Sequence, residues 1–463
     1  MKEAIDISGS KNAITNVGEV LYFIGIGGIG MSAIARYFHS KGVEVSGYDK
    51  TPTVLTRLLE EEGISIHYNE DTNAIPKNAD LVVYTPAIPV DHAELIYYKE
   101  HGYNVVMRSD VLKLITESSF NICVAGTHGK TTVSTMIAHI LRDTGFGCNA
   151  FLGGISANYG TNFWSSENNV CVVEADEYDR SFLKLYPDVA VITSMDPDHL
   201  DIYGTAEEVE NAFVSFSNNV KDQGCLITKY GLKKENEFDA NSQVTYSLNN
   251  ELSDVFAKKI KVVNGSYVFD VASIGWSVDN ITMHMGGLHN IENMVAAIAV
   301  AKYVKIEDDK IREAVEKFKG VRRRFEYALK NEKHVVIDDY AHHPEELKAL
   351  IGGVRSLFKQ KLVMVFQPHL FSRTKDQADG FANVLDVCDE VILLPIYPAR
   401  ELPMEGVTSN MIIDRMKNGN ARVMSKEGMQ DWVKNNRPEL LVMAGAGDID
   451  VLVNSVVKTL ETV

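Results

Sequence analysis

The stretch FNICVAGTHGKTT, residues 120–132, decides the fold. It begins as an apolar strand, passes through a glycine turn and ends in Gly129-Lys130-Thr131-Thr132. Val133, Met136, Ile137, Ile140 and Leu141 then recur at helical spacing. Strand, glycine turn and helix in that order read as a nucleoside-triphosphate phosphate loop. Backbone N–H groups of the turn and helix start cradle phosphate oxygens in such a loop. The cradle falls on Gly126, Thr127, His128, Gly129, Lys130, Thr131 and Thr132. Lys130 is expected at the surface, reaching the terminal phosphates, and the Thr131 hydroxyl is placed to ligate Mg²⁺. The usual pattern wants its first glycine where this chain has Val124; the glycine here is Gly126, so the loop is a shortened variant. The competing reading is a glycine-rich strand–helix turn without a ligand.

Upstream, strand and helix patterns alternate. LYFIGIGG (21–28) is an apolar strand entering a turn, Met31 to Ser40 is helical in pattern, and VEVSGYD (43–49) is the next strand. A helix around Val54–Glu62, a strand in ADLVVYTPAIP (79–89), a helix near His92–Glu100 and the strand NVVM (104–107) complete a doubly wound unit. Its opening turn carries Gly25, Gly27, Gly28, Ile29 and Gly30, a G-x-G-x-x-G arrangement. Asp49 ends the second strand, where a ribose-binding acid belongs. A tight turn that uses glycine only for packing is the alternative.

Downstream, NVCVVEADE (169–177) delivers Glu174 and Asp176, and VAVITSMDPDHLD (189–201) delivers Asp196, Asp198, His199 and Asp201. Strand ends of an open parallel sheet converge on one crevice, so these groups are expected near Lys130 and Thr131. Carboxylates there suit Mg²⁺, whereas imidazole prefers softer metals; helix capping is the other use of such acids. Residues 221–285 read as a peripheral sheet, with turns at Asn249-Asn250 and Asn264-Gly265. GLHNIENMVAAIAVAKYV (287–304) reads as a helix with Asn290 and Asn293 exposed near its start. After GVRRRFEY (320–327) a third parallel α/β unit follows, with Asp338, Asp339, Tyr340, His342, His343, His369 and Arg373 at strand ends. The three consecutive arginines are either a solvated basic patch or a planar clamp on phosphate.

The chain has 463 residues, 45% of them hydrophobic and 24% charged, enough apolar material for about three domains. The boundaries fall at 1–117, 118–324 and 325–463, giving an α/β architecture: a Rossmann-like N-terminal domain, a central ATPase-type domain and a Rossmann-like C-terminal domain. A net charge of −17 argues against nucleic-acid or anionic-membrane binding. Five cysteines without C-x-x-C pairing indicate neither a disulfide framework nor a zinc site. No apolar run reaches membrane-spanning length and the start has no signal-type apolar core, so a cytoplasmic enzyme is expected. On residues alone, a kinase, a motor ATPase, a ligase and a dehydrogenase-like nucleotide binder stay open. Three units with separate polar crevices suit a joining of two small molecules at the expense of ATP.

Eight ordered motifs carry a resemblance: FIGIGGIGMSAIA (23–35), AGTHGKTT (125–132), EADEYDRSF (174–182), DPDHLDIYG (196–204), GLHNIEN (287–293), RRRFE (322–326), DDYAHHP (338–344) and PHLFSRT (368–374). Along essentially its whole length the chain resembles the Mur ligase family. The resemblance implies ligation of L-alanine to the lactyl carboxylate of UDP-N-acetylmuramate through an acyl phosphate, with release of ADP and phosphate in peptidoglycan precursor synthesis. The alternative it leaves is a recycling ligase that attaches a whole tripeptide; Gly27-Gly28 followed by Met31-Ser32 favours the alanine reaction. It implies ATP and Mg²⁺ as cofactors, small-molecule partners, and a monomer or weak homodimer. The first-domain turn then serves the UDP-sugar, not a nicotinamide. Lys130, Glu174 and His199 take catalytic roles, with Thr131, Glu174 and His199 at the metal. Asn290, Asn293, Arg324 and Asp339 lie on the ATP side, and His342, His343 and Arg373 near the amino acid.

The pattern departs from relatives in three places. No lysine occurs between Lys184 and Lys221, so the side-chain-carbamylated lysine of several relatives is not expected. Pro368-His369-Leu370 stands where many alanine-adding members read Pro-His-Arg, and Tyr178 where relatives often have serine.

Overall fold

Three apolar-strand groups form three separate sheets in the computed structural model, which describes residues 17–197, 200–399 and 401–462. The first sheet comprises β1 (Val20–Ile24), β2 (Glu44–Tyr48), β3 (Ser65–His67), β4 (Leu81–Tyr84) and β5 (Val105–Met107), in the order β3-β2-β1-β4-β5. All of its pairings are parallel. Chain direction across the sheet reverses between β1 and β4, and the glycine turn opens at that switch point. Helices α1 (Ile29–Ser40), α2 (Val54–Glu61), α3 (Ala93–Glu100) and α4 (Arg108–Glu117) make the connections. Strand β3 is one the hydrophobic pattern does not announce: SIH has no apolar run and is only partly buried.

The second sheet holds β6 (Phe120–Ala125), β7 (Asn149–Phe151), β8 (Phe163–Trp164), β9 (Val170–Glu174), β10 (Val189–Ile192), β11 (Cys225–Lys229), β12 (Gln243–Ser247), β13 (Val255–Val263), β14 (Ser266–Ser273) and β15 (Trp276–Met283). Its order is β15-β14-β13-β12-β11-β10-β6-β9-β7-β8. Residues 221–285 are therefore not a peripheral sheet, as their polarity led us to expect. Strand β11 pairs in parallel with β10 and β12 in parallel with β11, so the central sheet simply continues through them. The Asn264-Gly265 turn does join two strands, with both residues at positive φ (51° and 72°), as a tight hairpin turn requires.

Helix α5 (Lys130–Asp143) follows β6 directly, and its Val133, Met136, Ile137, Ile140 and Leu141 are buried, as the periodicity requires. The first and central segments share one contiguous core that runs from Leu21, Phe23 and Phe38 to Phe182, Phe213 and Phe216. Tyr37 of α1 packs against Phe151 and Phe163, with ring centroids 5.3 and 6.2 Å away. The third sheet is β16 (Glu326–Lys330), β17 (Val335–Asp339), β18 (Leu362–Phe366), β19 (Glu390–Leu393), β20 (Ala421–Val423) and β21 (Leu440–Ala444), ordered β16-β17-β21-β18-β19-β20. It is parallel except for β16, which pairs antiparallel with β17 and carries a bulge between Tyr327 and Leu329.

Packing divides the chain into two compact units. One takes the described residues up to Lys259 together with Phe269–Ile281 and Glu292–Phe318; the other takes Ile260–Val268, Thr282–Ile291 and the chain from Lys319 on.

Candidate active site

In the first unit the phosphate loop is built as its sequence demands. Gly126 has φ +133°, and a Cβ there would stand 2.1 Å from Thr193 Oγ1; Gly129 has φ +85° and caps α5. Both positions need glycine. The loop is braced by the segment that follows β10: Ser194 Oγ lies 2.9 Å from Thr127 Oγ1 and accepts from the His128 N–H at 2.8 Å. Asn293 Oδ1 stands 3.1 Å from where a Gly129 Cβ would lie, so the helix Leu288–Tyr303 contributes Asn293 to this crevice.

Lys130 is not the surface cation expected. Its side chain is 13% exposed, and Nζ donates to Gly126 O and to Glu177 Oε1, both at 2.7 Å. Glu177 is 1% exposed, and burial raises its pKa above the ordinary carboxylate range against the lowering effect of Lys130. Two charges this far removed from water are tolerated because each is the other's counter-charge. The Glu177 main-chain oxygen in turn accepts from Tyr203 Oη at 2.6 Å. Sequence reasoning missed this role. The signal available was a third acid beside Glu174 and Asp176.

Glu174 ends β9 beside the loop. Its Oε1 accepts from Thr131 Oγ1 at 3.0 Å and its Oε2 from the Gly153 N–H at 3.0 Å. Burial raises its pKa, opposed first by Lys130 and then by the Thr131 hydrogen bond. A buried carboxylate touching a hydroxyl is a pair of hard oxygen donors, and that donor set fits Mg²⁺. Asp198 and His199, the latter expected at the metal, lie outside the described residues. Exposed Asp196 stands 3.9 Å from His128.

The glycine turn after β1 is closed by Asp49, whose Oδ2 accepts from the Gly27 N–H at 2.8 Å and whose Oδ1 accepts from the Thr51 N–H at 3.2 Å. The acid expected to hold a ribose thus also fixes the turn that carries Gly25, Gly27, Gly28, Ile29 and Gly30. Buried Asn162 ties that turn to the central segment: its Nδ2 donates to Ile29 O at 2.6 Å, and its Oδ1 accepts from Arg36 at 2.6 Å.

The other expected residues belong to the second unit. Asn290 is buried rather than exposed, and its amide donates to Gly286 O at 2.6 Å. Of the three arginines, Arg322 is exposed; Arg323 turns toward Asp338 and Asp450, at 3.9 and 3.5 Å; Arg324 lies over the Tyr340 ring at 5.1 Å. Asp339 accepts from the N–H groups of Phe325 (2.7 Å) and Ala341 (2.8 Å). Burial nevertheless pushes its pKa up to about 6, and that of Asp338 to about 7.

His343 caps the helix Pro344–Leu357 and so has a structural use. His342 Nδ1 lies 3.0 Å from Tyr340 O and 3.2 Å from Glu346 Oε2. Its ring centroid is 6.1 Å from that of His369, which stacks on Tyr397 at 5.7 Å. Burial lowers both histidine pKa values, with nearby Arg373 lowering them further, and that of His369 falls to about 4. His342, His369 and Arg373 therefore form one cluster, neutral imidazoles beside a permanent cation. The sequence marks His369 only as a strand-end residue and Tyr397, which stacks on it, not at all. Leu370 follows at φ +68°, unusual for a branched side chain.

Comparison with known proteins agrees with this arrangement. Residues 20–119 match the Mur ligase family catalytic-domain model, residues 124–301 the Mur ligase middle domain, and residues 323–453 the model described as Mur ligase, glutamate ligase domain. The chain is 48% identical to a UDP-N-acetylmuramate–L-alanine ligase of Porphyromonas gingivalis over 96% of this chain and 99% of that one. It is similar to the crystal structure of a UDP-N-acetylmuramate–alanine ligase from Thermotoga maritima (TM-score 0.80, 28% identity, 95% of this chain and 98% of that one). A murein peptide ligase from Psychrobacter arcticus shares the fold (TM-score 0.69, 20% identity, 96% and 99% covered). The chain belongs to the Mur ligase family.

Proposed function

We propose that this protein is an ATP-dependent ligase that joins L-alanine to the lactyl carboxylate of UDP-N-acetylmuramate in peptidoglycan precursor synthesis. The observation that carries the reading is near-full-length similarity to an L-alanine ligase; a strand–glycine-turn–helix loop with Thr131 against Glu174 supports it.

The chemistry follows from charge. A carboxylate oxygen attacks the γ-phosphorus of ATP, the bond to the β-phosphate oxygen breaks, and ADP leaves with that electron pair. The alanine nitrogen then attacks the acyl carbon, loses a proton, and inorganic phosphate departs as the amide forms. Nucleophile and ATP are both anionic, so cations must offset the repulsion. Lys130 is poised for that task once nucleotide phosphates compete with Glu177 for its ammonium. Loop N–H groups and the start of α5 orient the phosphates. Thr131 and Glu174 are the described residues that would hold Mg²⁺, and His199 is assigned there by family resemblance. When bound, the ion supplies Lewis-acid neutralisation of phosphate charge. Asn290, Asn293, Arg324 and Asp339 serve the nucleotide side, and His342, His343 and Arg373 the amino acid. Domains bounded at 1–117, 118–324 and 325–463 divide these tasks. No helix among the described residues is long and apolar enough to cross a membrane; a cytoplasmic monomer or weak homodimer is the working state.

The test is ADP release with UDP-N-acetylmuramate against a panel of amino acids and the murein tripeptide. L-Alanine should be the best acceptor. Glycine and L-serine should leak through, because a methyl-scale difference discriminates by only about 1–3 kcal/mol. Faster turnover with the tripeptide would overturn the alanine assignment and leave the ligase class standing.

A further inference from the structure

Gly30 closes the G-x-G-x-x-G turn at the start of α1, and the space above it is already taken. A Cβ at Gly30 would lie 2.5 Å from Arg108 Nη1 and 3.3 Å from its Cζ. Arg108 is the first residue of α4, directly after β5. A side chain from the far edge of the first sheet thus lays its guanidinium across the end of the glycine turn. The third glycine leaves room for a cation.

That cation has no counter-charge among the described residues. Arg108 is half-buried and makes no hydrogen bond or ion pair with any described residue. The acid nearest in sequence is engaged elsewhere: Asp110 caps the start of α4 by accepting from the Met107 N–H at 3.1 Å, and its other oxygen pairs with Lys184 at 2.5 Å. Lys184 also donates to Ser109 Oγ at 3.0 Å, so the first turn of α4 is fastened to the central segment while Arg108 stays unpaired. Arg108, Ser109, Glu174, Asp176, Ser181 and Phe182 line one small cleft. The guanidinium therefore stands between the glycine turn and the carboxylates beside the phosphate loop.

A half-buried guanidinium without a partner is costly unless an anion completes it. Beside it are the N-terminus of α1 and a turn whose glycines expose backbone N–H donors, a setting that favours phosphate oxygens. Guanidinium adds a planar, two-pronged donor matched to a phosphate edge. We propose that Arg108 is the cationic wall of the diphosphate cradle in the first unit and binds the nucleotide-sugar's diphosphate. This inference rests on the UDP-sugar reading of the glycine turn.

The test compares UDP with uridine by calorimetry in the full-length wild type, Arg108→Met and Arg108→Lys, with ATP binding and thermal midpoint followed in each. Wild type should bind UDP far more tightly than uridine. Arg108→Met should lose at least about tenfold of that preference, the scale of a charged hydrogen bond, with uridine affinity, ATP affinity and thermal midpoint unchanged. Arg108→Lys should recover part of it. In turnover, KM for UDP-N-acetylmuramate should rise at least about tenfold in Arg108→Met while kcat changes little, as for uniform binding away from the reacting atoms. An unchanged preference for UDP over uridine in Arg108→Met overturns the inference alone. So does a fall in kcat at constant KM, which would put Arg108 on the reacting carboxylate. A wild type that binds neither UDP nor uridine overturns the underlying reading and this inference with it.

Discussion

The Lys130 ammonium sits 2.7 Å from Glu177 Oε1, and both side chains are largely shut away from water. The cation of the phosphate loop therefore has a buried counter-charge within the protein. Nucleotide binding must take that cation over, and the acid left behind is buried.

This pairing changes what a lysine substitution should do. Lys130→Ala should lower kcat by on the order of a hundredfold or more through lost charge stabilisation. It should also destabilise the fold, because removing one partner of a buried pair costs about 3–5 kcal/mol. Adding Glu177→Gln should restore much of the stability and none of the activity. Urea midpoints and ADP release on the single and double variants separate the two effects. A double variant no more stable than Lys130→Ala would mean the pair carries no such coupling.

Glu174→Gln should raise the Mg²⁺ concentration needed for half-maximal rate, with partial rescue at high Mg²⁺. The carboxylate now shares its oxygens between Thr131 and Gly153, and an amide keeps that shape while losing the charge that attracts a hard cation. Rates measured across a Mg²⁺ series decide the point. An unchanged Mg²⁺ dependence would remove Glu174 from the metal.

Much of this site was legible in the sequence because its signals are local. A glycine turn between an apolar strand and an apolar-periodic helix places Lys130 and Thr131 without tertiary information, and acids at strand ends follow from the convergence of a parallel sheet. Other features depend on long-range packing and leave no local trace. The Glu177 contact spans 47 residues, and Arg108 meets a turn far earlier in the chain. Asn290 read as exposed because its helix start looked polar, yet its amide is buried against Gly286. Residues 221–285 read as peripheral because polar strands weaken the alternation signal, although the parallel pairing of β11 and β12 continues the central sheet.

Asp49→Ala should raise KM for UDP-N-acetylmuramate more than it lowers kcat. The carboxylate is spent on holding the Gly27 N–H and its own turn, so its loss loosens a cradle distant from the reacting carboxylate and weakens uniform binding. NAD(P) should not bind. Initial-rate kinetics and calorimetry check both statements; tight NAD(P) binding without UDP-sugar binding would favour the dehydrogenase-like alternative.

Asp338 should make the fold less stable as pH rises through neutrality. Burial, only partly offset by Arg323, lifts its pKa from 3.8 to about 7. Between those values the folded chain keeps a proton that the unfolded chain has released. Stability from this group is therefore fully present below pH about 4 and is lost as pH rises through about 7, at no more than about 1.4 kcal/mol per pH unit for one proton. Asp338→Asn removes the titration while keeping the shape of the neutral acid. The stability difference between variant and wild type should therefore shift in favour of the variant from pH 4.5 to 7.5, an interval in which the groups common to both chains cancel. Urea midpoints at several pH values measure it. Parallel curves for the two proteins would show that Asp338 ionises with an ordinary carboxylate pKa, and that Arg323 compensates its burial in full.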